Sequence, residues 1–218
     1  MVNQKNAFWQ ALLSAAIIFG VGILLGVFLE NSRSQSIEAT LINSEVSVAD
    51  QQLIQQIGDS LEIDCSLAIN NTIALADKIY EEASLLEKYD KSSELTDTLK
   101  LVHRKYDLLR TGLWLHSINI KNKCKSDFHT LVYIYQYQDV PISTASRQTV
   151  FANYLREIKS SYKDKIILIP IAGDTDLSSL NLIKDKFSIK DYPVIILDEK
   201  RIIKDVESLT SIESILEQ

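Results

Sequence analysis

Apolar residues shift their spacing twice along the sequence, and each shift marks a new kind of element. Residues 6–29, NAFWQALLSAAIIFGVGILLGVFL, carry no charge between Lys5 and Glu30. A helix rising about 1.5 Å per residue needs about 20 residues to cross a hydrocarbon core of roughly 30 Å, so this run is long enough to span a membrane after a short tail at residues 1–5. From Ser36 to Asn122 apolar residues recur at alternating steps of four and three. The first stripe is Ile42, Val46, Ala49, Leu53 and Ile57. The second is Ile69, Ile73, Ala76, Tyr80 and Ala83, and the third is Leu95, Leu99, Val102, Tyr106, Leu109 and Leu113. This period predicts a long first helix and then an antiparallel, coiled-coil-like helical hairpin within residues 36–125. Asp64 is placed to cap the second helix, and Ser92 or Ser93 the third.

After Ser126-Asp127 the pattern turns to β-branched and aromatic runs. Residues 128–137, 165–171, 194–197 and 201–205 read as strands. Between and after them, 147–162 and about 177–187 read as helices, with Val150, Tyr154 and Ile158 on one face of the former. A last helix follows the box Thr210-x-x-Glu213. The order is β-α-β-α-β-β-α over residues 127–218, an α/β domain.

The end of the apolar run separates two readings of it. A cleavable signal has an apolar core of 7–15 residues followed by a small-x-small site. This run is longer and ends in Val27-Phe28-Leu29-Glu30, which favours a signal anchor at 6–29. Ala11, Ala15, Gly22 and Gly26 share one helical stripe, and Gly22 to Gly26 forms a G-x-x-x-G. Small residues there allow close helix pairing in lipid, hence a homodimer through this helix; the plainer alternative is that glycine is simply tolerated. Lys5 and the α-amino group, against Arg33, bias the N-terminus only slightly to the cytoplasmic side, which would set the C-terminal domain outside.

Charge then excludes some partners. Of 23 basic and 29 acidic residues only Lys5 lies in the first 29 positions, so the remainder carries 22 and 29, a formal charge of −7. Without a basic tract, nucleic acid and anionic lipid headgroups are poor partners. Two cysteines and three scattered histidines (His103, His116, His129) do not supply a four-ligand zinc set, and neither metal nor cofactor is expected. Cys65 opens the second helix and Cys124 follows the third. In an antiparallel hairpin these are the same end, so a disulfide is expected if the domain lies in an oxidising compartment; two unrelated cysteines are the alternative. His116 continues the third seam and reads as a hydrogen-bonded interior residue. Trp114, off that seam, reads as a packing residue, and the sequon Asn70-Asn71-Thr72 as incidental within a helix.

The strand order, with Tyr192-Pro193 opening the third strand and a hairpin to the fourth, resembles the thioredoxin fold without its first strand and helix. The resemblance covers residues 127–218, and Tyr192 to Ile203 is its most specific part. It implies a cis Tyr192-Pro193 bond beside the loop where active members carry C-x-x-C at a helix start. Here that interval, Gln138 to Gln148, has no cysteine. Aligned on Gln148 with the pattern C-P-x-C-x-x-Q, Ile142 and Ala145 occupy the two thiol positions. The expected function is therefore a membrane-tethered, redox-inactive thioredoxin-like binding or assembly module, not an enzyme. It would hold an unidentified protein or peptide in a groove formed by Ile142, Ser143, Thr144, Ala145, Tyr192 and Pro193. Two alternatives stand beside it: an oxidoreductase using Cys65 or Cys124, and a structural subunit of a membrane complex.

Overall fold

In a computed structural model the protein divides into two units, Met1–Glu45 and Val46–Gln218, each described by itself. The structure describes residues 4–60, 64–90 and 97–217. Helix α1 (Gln4–Ser60) contains the stretch Phe8–Leu29, 22 residues long and apolar enough to cross a membrane, none of it buried. A Cβ added at Gly22 or Gly26 would meet nothing within 4 Å, so this face of the helix is open. The apolar stripe Ile42, Val46, Leu53 and Ile57 is exposed, not packed as its heptad spacing led us to expect. The seams that do pack are the other two.

Helix α2 (Cys65–Asp90) begins where Asp64 Oδ1 accepts the N–H of Ser66 at 2.7 Å and of Leu67 at 3.4 Å, the capping expected of that residue. Helix α3 (Asp97–Cys124) runs antiparallel to it. Three ties fix the direction. Cys65 and Cys124 form a disulfide with Cα atoms 5.4 Å apart, Thr72 Oγ1 meets His116 Nε2 at 3.2 Å, and Tyr106 donates to Glu82 Oε2 at 3.2 Å. Residue numbers thus rise along α2 as they fall along α3. Val102, Tyr106, Leu109 and Leu113 of the third seam are buried, with Ala76 and Ile79 from α2. Leu95, Ser92 and Ser93 lie outside the described residues.

The remainder is a four-stranded mixed sheet of order β2-β1-β3-β4. β1 (His129–Tyr135) is parallel to β2 (Ile166–Ala172) and antiparallel to β3 (Val194–Leu197), which pairs antiparallel with β4 (Arg201–Ile203). Side chains alternate across β1 as the pleat requires. Leu131 and Tyr133 pack with Phe151, Leu155 and Ile158 of α4 (Ile142–Tyr162) and with Ile212 and Leu216 of α6 (Ser211–Leu216). Val132 and Ile134 pack on the opposite face with Leu109, Leu113 and Trp114 of α3 and Leu180 of α5 (Ser178–Lys186). The helical hairpin is thus part of the same core as the sheet. Pro170 sits in β2, an edge strand, where a missing N–H is tolerated. The Tyr192–Pro193 peptide bond is cis.

Two local expectations are corrected. Helix α4 starts at Ile142, five residues earlier than the apolar spacing indicated. Pro141, at φ −59°, leads straight into it, and a proline needs no donor at a helix start. The earlier start goes with a different inner face, Phe151, Leu155 and Ile158, leaving Val150 exposed. The Thr210–Glu213 capping box does not form. A 3-10 turn at Val206–Ser208 leads directly into α6, so Thr210 is itself helical (φ −61°, ψ −19°) and its hydroxyl turns back to Glu207 O at 3.4 Å.

Candidate functional site

The antiparallel register pairs Ile134 with Val194, so Pro193 lies at the sheet end where β1 finishes and the backbone leads towards α4. The connecting loop is held by two side chains. Gln148 of α4 accepts the Gln136 N–H at 2.8 Å and donates to the Gln136 carbonyl at 3.0 Å. Asp174, beyond β2, accepts the N–H groups of Tyr137 at 2.9 Å and Gln138 at 2.7 Å. Gly173 N–H closes the same corner on Tyr135 O at 2.7 Å. Tyr192 reaches across to donate to Gly173 O at 2.8 Å, and a Cβ on Gly173 would lie 2.3 Å from that ring, so this close approach requires glycine.

The residues expected to form the groove separate by environment. Ile142, the first residue of α4, is 88% exposed. Ser143 and Ala145 are exposed, Thr144 and Tyr192 are partly buried, and Pro193 is buried. Ala145 alone of the six lines a cavity of about 430 Å³ between the sheet, α4 and the helical hairpin.

That cavity was not singled out from the sequence. Tyr133, Tyr135 and Tyr137 come to it from β1 and the residues just after it, and Tyr80 from α2. His103 and Arg110 come from α3, and Gln148 and Arg156 from α4. The period-two run of tyrosines was the signal that could have found it, because residues two apart in a strand share a face. The His103 and Tyr137 rings lie 3.9 Å apart between centroids, joining α3 to the loop after β1. Burial pushes the Tyr133 hydroxyl well above its ordinary range, with Tyr135 adding to the shift; the hydroxyl stays protonated and donates to Gln148 O at 3.2 Å.

Behind the cavity lies a buried ion pair. Arg110 Nη1 meets Asp107 Oδ1 at 3.2 Å, and the same oxygen accepts the N–H of Ala172 on β2 at 3.0 Å. Burial pushes the Asp107 carboxyl up, opposed by Arg110 and the Ala172 N–H. Asp107 Oδ2 and Arg110 Nε are buried without a hydrogen-bond partner.

A second polar cluster holds the other end of the sheet. The turn from β3 to β4 places Asp198 and Glu199 at φ 49° and 57°. Asp198 accepts from Lys121 Nζ, from His129 Nδ1 at 2.6 Å and from Thr130 N at 3.0 Å. Burial alone would raise this carboxyl, but Lys121, His129 and the backbone donor together hold it below its usual range. Glu199 Oε1 accepts from Trp114 Nε1 at 2.7 Å and Thr130 Oγ1 at 2.8 Å. Trp114 also stacks on Phe187, centroids 5.8 Å apart, so its role is packing, as expected; His116 is likewise interior and hydrogen-bonded.

Both cysteines are joined to each other, and among the described residues no cluster of His, Cys, Asp and Glu is suited to hold a metal. No family model matches the protein, and neither the curated proteins nor the solved structures compared with it include a significant match.

Proposed function

We propose that this protein is a membrane-tethered, thioredoxin-like module that binds a polypeptide partner without redox chemistry. The observation that carries the proposal is the loop between β1 and α4. It is pinned by Gln148 and Asp174, has no cysteine, and presents Ile142 almost fully to solvent at the sheet end that holds Pro193. An apolar side chain in that position, on a preorganised loop, suits docking of an extended peptide. The sheet order and the register of β1 with β3 support the thioredoxin-like reading, and the apolar run Phe8–Leu29 supports the tether. The Cys65–Cys124 bond supports a domain facing an oxidising, extracytoplasmic compartment. Exchange chemistry through these two cysteines would require opening the bond that joins α2 to α3.

A photoreactive amino acid at position 142, in the full-length protein in native membranes, tests the proposal. A discrete polypeptide adduct is expected at 142 and not at Leu182, another apolar and largely exposed position, on α5. Equal labelling at both positions, or none at 142, would remove the docking role. Insulin reduction by the purified protein at a rate above the reductant alone would remove the redox-inactive part.

A further inference from the structure

The cavity between the sheet, α4 and the helical hairpin has a charge at odds with its protein. The protein is acidic, with a formal net charge of −6, yet the described residues lining the cavity include Arg156 and Arg110, the latter ion-paired to Asp107, and no carboxylate. Arg110 is 4% exposed while Arg156 is exposed, so cationic groups run from the buried side of the cavity to the solvent side. The Asp107 oxygen that faces Arg110 Nη1 is shared with the Ala172 N–H. A guanidinium carries five N–H donors, and an anion in the cavity would add acceptors to the one that Asp107 provides. The walls are tyrosines, with Leu155 and Leu168. A volume of about 430 Å³ lies within the range of sites for small organic ligands.

We propose that this cavity binds an aromatic carboxylate, its ring against the tyrosine wall and its carboxylate towards Arg110 and Arg156. Free arylalkanoic acids and peptides ending in phenylalanine share that chemistry. The site is separate from Ile142, so it stands or falls independently of the docking role proposed above.

The test uses the full-length protein in lipid nanodiscs with four probes: 3-phenylpropionate, its amide, a pentapeptide ending in Phe with a free carboxylate, and the same peptide amidated. Binding is measured by calorimetry. At least one acid is expected to bind saturably, with its amide at least about tenfold weaker, the loss expected for a charge-assisted hydrogen bond. Tighter binding of the peptide acid identifies a polypeptide carboxy terminus as the ligand, and tighter binding of phenylpropionate a free metabolite. Arg156→Gln, at an exposed position, should weaken binding about tenfold while leaving the melting temperature unchanged. Ala152→Phe, which fills the cavity from α4, should abolish binding. The proposal is overturned if acid and amide bind equally, if neither acid binds, or if either variant binds as tightly as the unmodified protein. Arg110 is not the variant of choice, because its loss would strand the Asp107 carboxylate.

Discussion

Replacing Gly173 by alanine puts a methyl group where Tyr192 already stands. The added Cβ would lie 2.3 Å from Cε1, 2.6 Å from Cζ and 2.7 Å from the hydroxyl oxygen. Carbon atoms pack best at about 3.5–4.0 Å, so the ring or the backbone must move by more than about 1 Å. If the ring moves, the hydrogen bond from Tyr192 to Gly173 O is lost, worth about 1 kcal/mol. If the backbone moves, it disturbs the N–H bond to Tyr135 O and the Lys184 bond to Gly173 O. Overpacking adds about 1–3 kcal/mol. Against this, alanine restricts the unfolded state, and Gly173 has no positive φ to forbid it, which returns about 0.4–1 kcal/mol. The net expectation is a destabilisation of about 1–3.5 kcal/mol, or roughly 3–12 °C in melting temperature for a unit of this size. Urea unfolding of the full-length protein in detergent, followed by tryptophan fluorescence, measures it. In a Tyr192→Ala background both the clash and the bond are gone, so Gly173→Ala should there be neutral or slightly stabilising. A cost under about 0.5 kcal/mol in the unmodified protein, or the same cost in both backgrounds, would refute the Gly173–Tyr192 clash.

Three further outcomes follow from other parts of the molecule. Replacing Cys65 and Cys124 by serine removes a cross-link across 59 positions, and loop-closure entropy sets an upper expectation of about 4 kcal/mol for the loss of stability; mass spectrometry of alkylated, non-reduced protein should find no thiols in the parent. Asp198→Asn should cost about 1–3 kcal/mol at neutral pH. Because the folded state holds the Asp198 carboxyl below its ordinary range, its contribution is complete above the unfolded carboxylate pKa of about 4 and disappears as pH falls through the lower folded value. The stability curves of parent and variant should therefore converge in acid, and a gap that widens below about pH 4 would contradict the assignment. Thr210→Val should change stability by less than about 0.5 kcal/mol, since the hydroxyl caps no N–H; a loss near 1 kcal/mol in thermal unfolding would show that the capping box exists after all.

Where the sequence was legible, one face of an element met a single environment. The third seam, Val102 to Leu113, is buried as its period implied, and the four strands lie within two residues of where β-branched runs put them. The order of elements after Asp127 was readable for the same reason. The cavity was not, because it is assembled from five elements spread along the sequence, and His103, Arg110 and Arg156 each look like solvated helix residues when read alone. The start of α4 was missed because the polar run Ser143 to Gln148 carries no apolar period, while Pro141 set the helix start without one. The exposed stripe Ile42, Val46, Leu53 and Ile57 shows the converse: periodicity reports that a face is apolar, not what covers it.

The β2 edge has a consequence for how copies of this protein meet. An open sheet edge is a row of unpaired donors and acceptors on which a second polypeptide can add a strand. Along β2, Pro170 has no N–H to offer, Asp107 takes the N–H of Ala172, and Lys159 takes the carbonyl of Ile166 at 2.9 Å. Lys159 is held in turn by Asp77 of α2 at 2.8 Å. The same hairpin that builds one wall of the cavity thus occupies both ends of the β2 edge, and Pro170 interrupts its middle, which disfavours β2 as a template for fibril growth or domain exchange. The other edge of the sheet, β4, has three residues, too short a ledge to seed an extended ladder.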